Sequence, residues 1–190
     1  FDPETEVYTK LLPANSPLST DDQVKFLLEA EDGIWVGTKT SGLLQLSQDG
    51  QILQQYSTSS SPAISHNHIL CLEKDEEGIL WVGTFGGGIN RLDLAQKTID
   101  IYTVKDNLAN NNVVGILGYD QDYLWISTYN GLSCFHKPTQ TFQNFYQEDG
   151  LSHYEFNYSS SFKDRQGRYY FGGMNGVTAF YPQAIIGQAP

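Results

Sequence analysis

Two cysteines in 190 residues rule out a disulfide framework. Cys71 and Cys134 sit inside apolar, strand-like runs, where a free cysteine behaves as a small hydrophobe, so both are expected to be reduced and buried. Long apolar runs are missing as well, and none approaches the roughly 20 residues that a membrane-crossing helix requires. Basic residues are scarce: 11 Lys and Arg stand against 22 Asp and Glu, a net charge of −11. A nucleic-acid backbone would be repelled by that field, and no local basic patch outweighs it. The chain opens FDPETEVY, without a methionine, a basic stretch or an apolar stretch, so any targeting signal is expected upstream or already removed. Helix signals are nearly absent. What remains is 39% apolar and 13% aromatic residues, enough for a packed core and too much for a disordered chain.

The tryptophans expose an internal repeat. Trp35, Trp81 and Trp125 are 46 and 44 residues apart, inside DGIWVGTKTSGLLQL (32–46), GILWVGTFGGGINRL (78–92) and DYLWISTYNGLSCF (122–135). A fourth copy, GRYYFGGMNGVTAF (167–180), puts Tyr170 in the Trp place. Within each period, apolar residues alternate or cluster over a few positions between Gly, Asn, Asp and Pro, which predicts short strands. In the second repeat these are 69–74, 79–84, 89–93 and 98–103. The first pair is joined by acidic turns, AEDG, DEEG, DQDY and DRQG in successive repeats.

Gly86-Gly87-Gly88 resembles a phosphate loop only superficially. Such a loop needs a helix N-terminus after the glycines, so that N–H groups and the helix dipole converge on the anion. Here a strand follows, and the matching turns KTSG, YNG and MNG vary in length as hairpin turns do. Four-stranded sheets every 45 residues or so predict an all-β fold, a β-propeller of four antiparallel blades. The Trp in each second strand is then expected to fill the gap between neighbouring blades.

The predicted segments are an isolated strand at 1–12, blades at 23–57, 68–103, 112–146 and 157–182, and a linker at 183–190. The first ten residues match FHKPTQTFQN (135–144), an outermost strand, and the last repeat ends after its third strand. Two arrangements satisfy that count. The N-terminal strand closes a four-bladed ring, or the chain is an arc of a larger ring.

In either arrangement, loops entering the innermost strands share one mouth with the turns between second and third strands, and ligands usually meet a propeller there. The entering loops carry Asp21, Asp22 and Gln23; His66, Asn67 and His68; Asn110, Asn111 and Asn112; and His153, Tyr154, Glu155, Phe156 and Asn157. The turns add Lys39, Phe85, Tyr129, Asn130, Met174 and Asn175. Amides mixed with aromatic faces suit a polar, hydroxyl-rich ligand such as an oligosaccharide. The candidate binding residues are Lys39, His66, His68, Asn111, Tyr129, His153, Tyr154 and Asn157. For Asn67, Asn111 and Asn157 the competing task is satisfying backbone groups where the chain turns. His153 and Tyr154, with no periodic reason to be there, are the stronger candidates. His66 and His68 have metal-like spacing without a third ligand nearby, so neither metal nor cofactor is expected. No Ser-His-Asp set can be assigned.

The combination of the acidic turn, LWVGT, GGGINRLD and an aromatic fourth strand resembles the two-component regulator propeller repeat. Residues 155–185 also resemble that family's closing blade. The resemblance implies a sensor propeller of the periplasm, outside the cytoplasm, with neighbouring propeller and β-sandwich domains in one receptor, and it favours the arc. Homodimerisation or a protein-interaction scaffold is the first alternative. A propeller lyase or hydrolase, using His66 or His68 with Glu155, is the second.

Overall fold

The computed structural model describes residues 22–186. The predicted strand at 1–12, Asp21 and the end of the predicted linker lie outside them.

Among the described residues, fifteen strands form four antiparallel sheets. The first blade comprises β1 (Val24–Ala30), β2 (Gly33–Thr38), β3 (Leu43–Leu46) and β4 (Ile52–Tyr56). The second holds β5 (Ile69–Lys74), β6 (Ile79–Thr84), β7 (Ile89–Asp93) and β8 (Thr98–Tyr102). The third holds β9 (Val113–Tyr119), β10 (Tyr123–Thr128), β11 (Gly131–His136) and β12 (Thr141–Phe145). The last comprises β13 (Phe156–Lys163), β14 (Tyr169–Gly173) and β15 (Gly176–Phe180). Every sheet runs in simple meander order. Neighbouring blades pack through their innermost strands, β1 on β5, β5 on β9 and β9 on β13.

One helix departs from the predicted linker: α1 (Pro182–Ile186). Proline is well placed in a first helical turn, where its missing N–H goes unused. Ile185 and Ile186 pack against the cluster between the third and last blades, an apolar anchor that ties α1 to the fold.

Three positions of the WVGT motif, the tryptophan, the glycine and the threonine, now have a physical account. Trp35 is buried with Leu72, Leu80 and Val82 of the second blade. Trp81 lies with Leu124, Ile126 and Phe135 of the third, and Trp125 with Tyr169 and Phe171 of the last. Each indole therefore faces the following blade, and burying such a ring contributes roughly 3 kcal/mol. The glycine two places on keeps the next innermost strand close. A Cβ on Gly37 would stand 2.7 Å from Ile69 Cγ2, and one on Gly83 would stand 2.7 Å from Val113 Cγ1. The threonine hydroxyl closes the following turn: Thr38 donates to the Gly42 carbonyl at 2.8 Å, Thr84 to Gly88 at 2.9 Å and Thr128 to Gly131 at 2.8 Å.

The triple glycine is a hairpin turn between β6 and β7, with φ of +89° at Gly86 and +78° at Gly88. The amides of Gly86 and Gly88 donate to the Asn111 carbonyl at 3.2 and 2.9 Å, tying the turn to the next blade.

Candidate functional site at the propeller mouth

A break in register at the start of each innermost strand shapes the mouth. Val24 pairs with Thr38 but Phe26 with Gly37; Ile69 pairs with Thr84 but Cys71 with Gly83; Val113 pairs with Thr128 but Gly115 with Ser127. One residue is therefore extra in each strand: Lys25, Leu70 and Val114. In β13 the break is longer, between Phe156 and Ser161, and Ser159 there adopts a φ of +56°. Bulges bend a strand and re-aim its side chains. Here they deliver Lys25, Leu70, Tyr158 and Ser159 to a single cleft of about 410 Å³, completed by Val24, Lys39, His68, Phe85 and Tyr129.

The loops feeding this cleft are held from behind. Asn90, buried in β7, accepts the Ser65 amide at 2.8 Å; Ser133 in β11 accepts that of Ala109 at 3.1 Å; Thr178 in β15 accepts that of Ser152 at 3.0 Å. A polar side chain on the third strand of each of these blades thus anchors the loop that enters it, and a mouth built on rigid strands keeps its geometry.

Within the cleft Phe85 is 42% exposed. Its ring lies 5.3 Å from that of His68 and meets Tyr129 edge-on at 6.2 Å. Tyr158, from β13 of the last blade, is 58% exposed. His68 Nε2 is buried with no hydrogen-bond partner among the described residues. Burial holds the His68 pKa below the ordinary imidazole value; Lys25, His66 and Lys39 push the same way and Asp22 opposes them. The ring is thus neutral at pH 7, with one nitrogen a donor and the other an acceptor. Burial raises the pKa of the Tyr129 phenol, aided by the nearby Glu155, and keeps it protonated.

Of the residues singled out in the sequence, Lys39, His68 and Tyr129 come together in the cleft. The other candidates lie outside its lining. His66 Nδ1 accepts the His68 amide at 3.0 Å, and His153 Nδ1 accepts the Glu155 amide at 3.1 Å. Asn110 does the same for Asn112 at 2.8 Å. His153 therefore has the periodic reason that the sequence hid: it closes the same two-residue turn as His66 and Asn110, with a ring nitrogen in place of an amide oxygen. Tyr154 stacks on His153 at 4.1 Å, and its carbonyl accepts the Gly131 amide at 2.7 Å. The Asn111 and Asn67 side chains accept the Val104 and Thr58 amides at 2.9 and 2.8 Å. Asn157 is exposed in β13 and lies outside the cleft lining. No hydrogen bond or ion pair among the described residues joins Glu155 to His66 or His68, and none of their His, Cys, Asp or Glu side chains gather in threes to hold a metal.

Lys25, Tyr158 and Ser159 escaped the sequence reading. Regular alternation does not place them, because a bulge adds a residue that two-residue periodicity cannot register. The available signal is that Lys25, Leu70 and Val114 recur at the repeat spacing, each second in its strand.

Antiparallel sheets of four strands, three in the last, packed face to face by buried tryptophans and with loops converging on one mouth, define a β-propeller. The family model described as two component regulator propeller matches residues 63–86, which include His66, His68 and Phe85. Over 97% of its length the chain is similar, at 27% identity, to Histidine kinase P4 of Formosa agariphila, and it spans 14% of that protein. The extracellular domain of the putative one component system BT4673 from B. thetaiotaomicron superposes with a TM-score of 0.72 at 24% identity, over 88% of this chain and 25% of that one. The computationally designed Ika4 protein gives a TM-score of 0.60 at 12% identity, covering 92% of this chain and 99% of the other. Among the described residues no helix is long and apolar enough to cross a membrane.

Proposed function

We propose that this chain is a non-catalytic sensing module of a two-component receptor, working in the periplasm, and that its mouth binds a polar, hydroxyl-rich ligand such as an oligosaccharide. The observation that carries the reading is the buried, unpartnered His68 Nε2 beside the exposed face of Phe85. A buried polar atom without a partner is costly, and a ligand hydroxyl would satisfy it. Phe85 offers a stacking face, and the Tyr129 phenol, the Ser159 hydroxyl and the imidazole offer hydrogen bonds of both senses. Similarity to a histidine kinase and to the extracellular domain of a one component system supports the receptor context.

Titration calorimetry against neutral and acidic tetrasaccharides tests this. Binding of at least one member, weakened about tenfold by Phe85→Ala with an unchanged melting temperature, is the expected result. Absence of heat from every member, or binding indifferent to Phe85→Ala, would overturn it.

A scaffold reading is favoured by one feature, the far face of the last blade. Phe162 is 63% exposed there, opposite Tyr170 in the ladder, and the Arg168 guanidinium lies over both Tyr170 and Tyr181. Sedimentation of the protein and of Phe162→Ser separates the two: self-association lost in the variant supports the scaffold.

A further inference from the structure

The mouth is not merely polar. Its two walls differ in chemistry. One belongs to the first blade and carries Lys25 and Lys39; the other, from the second, third and last blades, carries Phe85, Tyr129, Tyr158 and Ser159. The Lys39 amide donates to the Gln23 carbonyl at 2.9 Å, which fixes its backbone beside the start of β1 and keeps both lysines on the same wall.

Three other cations among the described residues are held in ion pairs. Lys74 pairs with Glu31, Arg91 with Asp93 and Asp100, and Lys137 with Asp75. Lys25 and Lys39 form no ion pair among the described residues, and the recorded partner of Lys25 Nζ is the neutral Gln23 Oε1 at 2.8 Å. The nearest carboxylate on that wall, Asp22, is engaged by the amides of Gln23, Lys39, Thr40 and Ser41 at 2.8 to 3.1 Å. It caps the turn and forms no ion pair with either lysine, so both ammonium groups stay free to meet a ligand, although its negative charge remains at the mouth, as that of Glu155 does near Tyr129. The acidic turns between first and second strands, with Glu31, Asp32, Asp75, Glu76, Glu77, Asp120 and Asp122, belong to the opposite rim of the blades. In a molecule with a formal charge of −11, two lysines turned into one concave site focus an attractive field where the rest of the surface repels anions.

We infer that the mouth selects an anionic sugar, one whose carboxylate or sulfate ester is held by Lys25 and Lys39 while its ring faces rest on Phe85 and Tyr158. The inference rests on the mouth being a ligand site and adds what that site discriminates. A sugar acid matches both walls at once: its charged edge meets the ammonium groups, and its C–H faces meet the aromatic rings.

The test compares matched pairs: trigalacturonate with its methyl ester, and a sulfated galactan tetrasaccharide with its desulfated form. The charged member of at least one pair is expected to bind about tenfold tighter than its neutral counterpart. That advantage should shrink as salt rises from about 20 to about 500 mM, as it does for exposed charges. Lys25→Met with Lys39→Met should abolish the advantage by weakening the charged member far more than the neutral one; Lys39 is exposed and Lys25 half-buried, and an unchanged melting temperature checks that the fold tolerates both changes. Phe85→Ala should weaken both members of the pair. Which pair shows the preference distinguishes carboxylate from sulfate. Equal affinity within both pairs, or a preference that survives loss of the lysines, overturns the inference while the ligand site stands. If no member of either pair binds, this inference falls, and the wider tetrasaccharide series then decides the site itself.

Discussion

The indole N–H of Trp81 donates to Asp75 Oδ2 at 2.9 Å. That carboxylate also accepts Lys137 Nζ of the next blade at 3.0 Å and, through Oδ1, the amides of Glu77 and Ile79. Asp75 thus joins its own turn, the interblade tryptophan and the following blade. The last blade reuses the device, with the Tyr170 phenol donating to Asp164 at 3.0 Å. The third blade does not: its turn is one residue shorter, Asp120 accepts only the amides of Asp122 and Tyr123, and the Trp125 indole N–H is buried unpartnered.

Asp75→Ala is therefore expected to cost about 3–5 kcal/mol, because it strands a buried cation and a buried indole N–H together. Their low exposure, 5% for the Asp75 side chain and 12% for Lys137, is why this pair outweighs the surface pairs. Urea unfolding measures it. By the same logic Trp81→Phe should cost about 1 kcal/mol more than Trp125→Phe, since only Trp81 loses a made hydrogen bond.

Gly83→Ala is expected to destabilise by about 1–3 kcal/mol through overpacking. The new methyl would lie 2.4 Å from Cys71 Sγ and 3.1 Å from the Val113 carbonyl oxygen. The third blade shows the compensated form of this contact, with Ser127 where Gly83 stands and Gly115 opposite it in the ladder where Cys71 stands. Combining Gly83→Ala with Cys71→Gly should thus show a favourable coupling in a double-mutant cycle of melting measurements.

Glu73 provides a pH signature. Burial raises its pKa above the ordinary carboxylate value, against the lowering effects of the Gly118 amide and of Lys163. A group whose pKa is higher in the folded state contributes stability at pH below its unfolded value and loses it as pH rises through the folded one. Glu73→Gln keeps an oxygen for the Gly118 amide and carries no charge. Its urea midpoint relative to the parent should rise between pH 4 and pH 7, and a flat difference would contradict the assignment.

Both cysteines should resist alkylation in the native protein. Cys71 and Cys134 are buried and unpaired, and burial pushes the Cys134 thiol up to about 12 and raises that of Cys71 further from neutrality. With thiolate and access both suppressed, labelling by iodoacetamide at pH 8 should proceed only at the rate of unfolding, and should complete rapidly in denaturant.

The blades were legible because their information is local. Alternating apolar residues, acidic turns and the Trp spacing specify strands and hairpins from a few neighbouring residues, and the second repeat's predicted strands match those observed to within one residue at one end. Even the role of the WVGT tryptophans followed, since a flat apolar ring at a fixed strand position has one sensible place between twisted sheets. The residues that line the cleft were only partly legible. Loop composition alone cannot separate His68, which opens into the cleft, from His66 two residues earlier, whose ring nitrogen is consumed by the backbone.

The blade strands, the repeat and the face on which the loops converge were readable from the residues alone, because each follows from short-range periodicity; α1, held by packing of Ile185 and Ile186, was not. Only the tertiary structure decided that Lys25, Tyr158 and Ser159 share a cleft with Phe85 and Tyr129, while His153 and Asn111 turn back to the chain. The cause is the bulge: one extra residue in β1, β5 and β9, and a longer break in β13, change which side chains face the cleft, and the effect depends on the partner strand across the ladder.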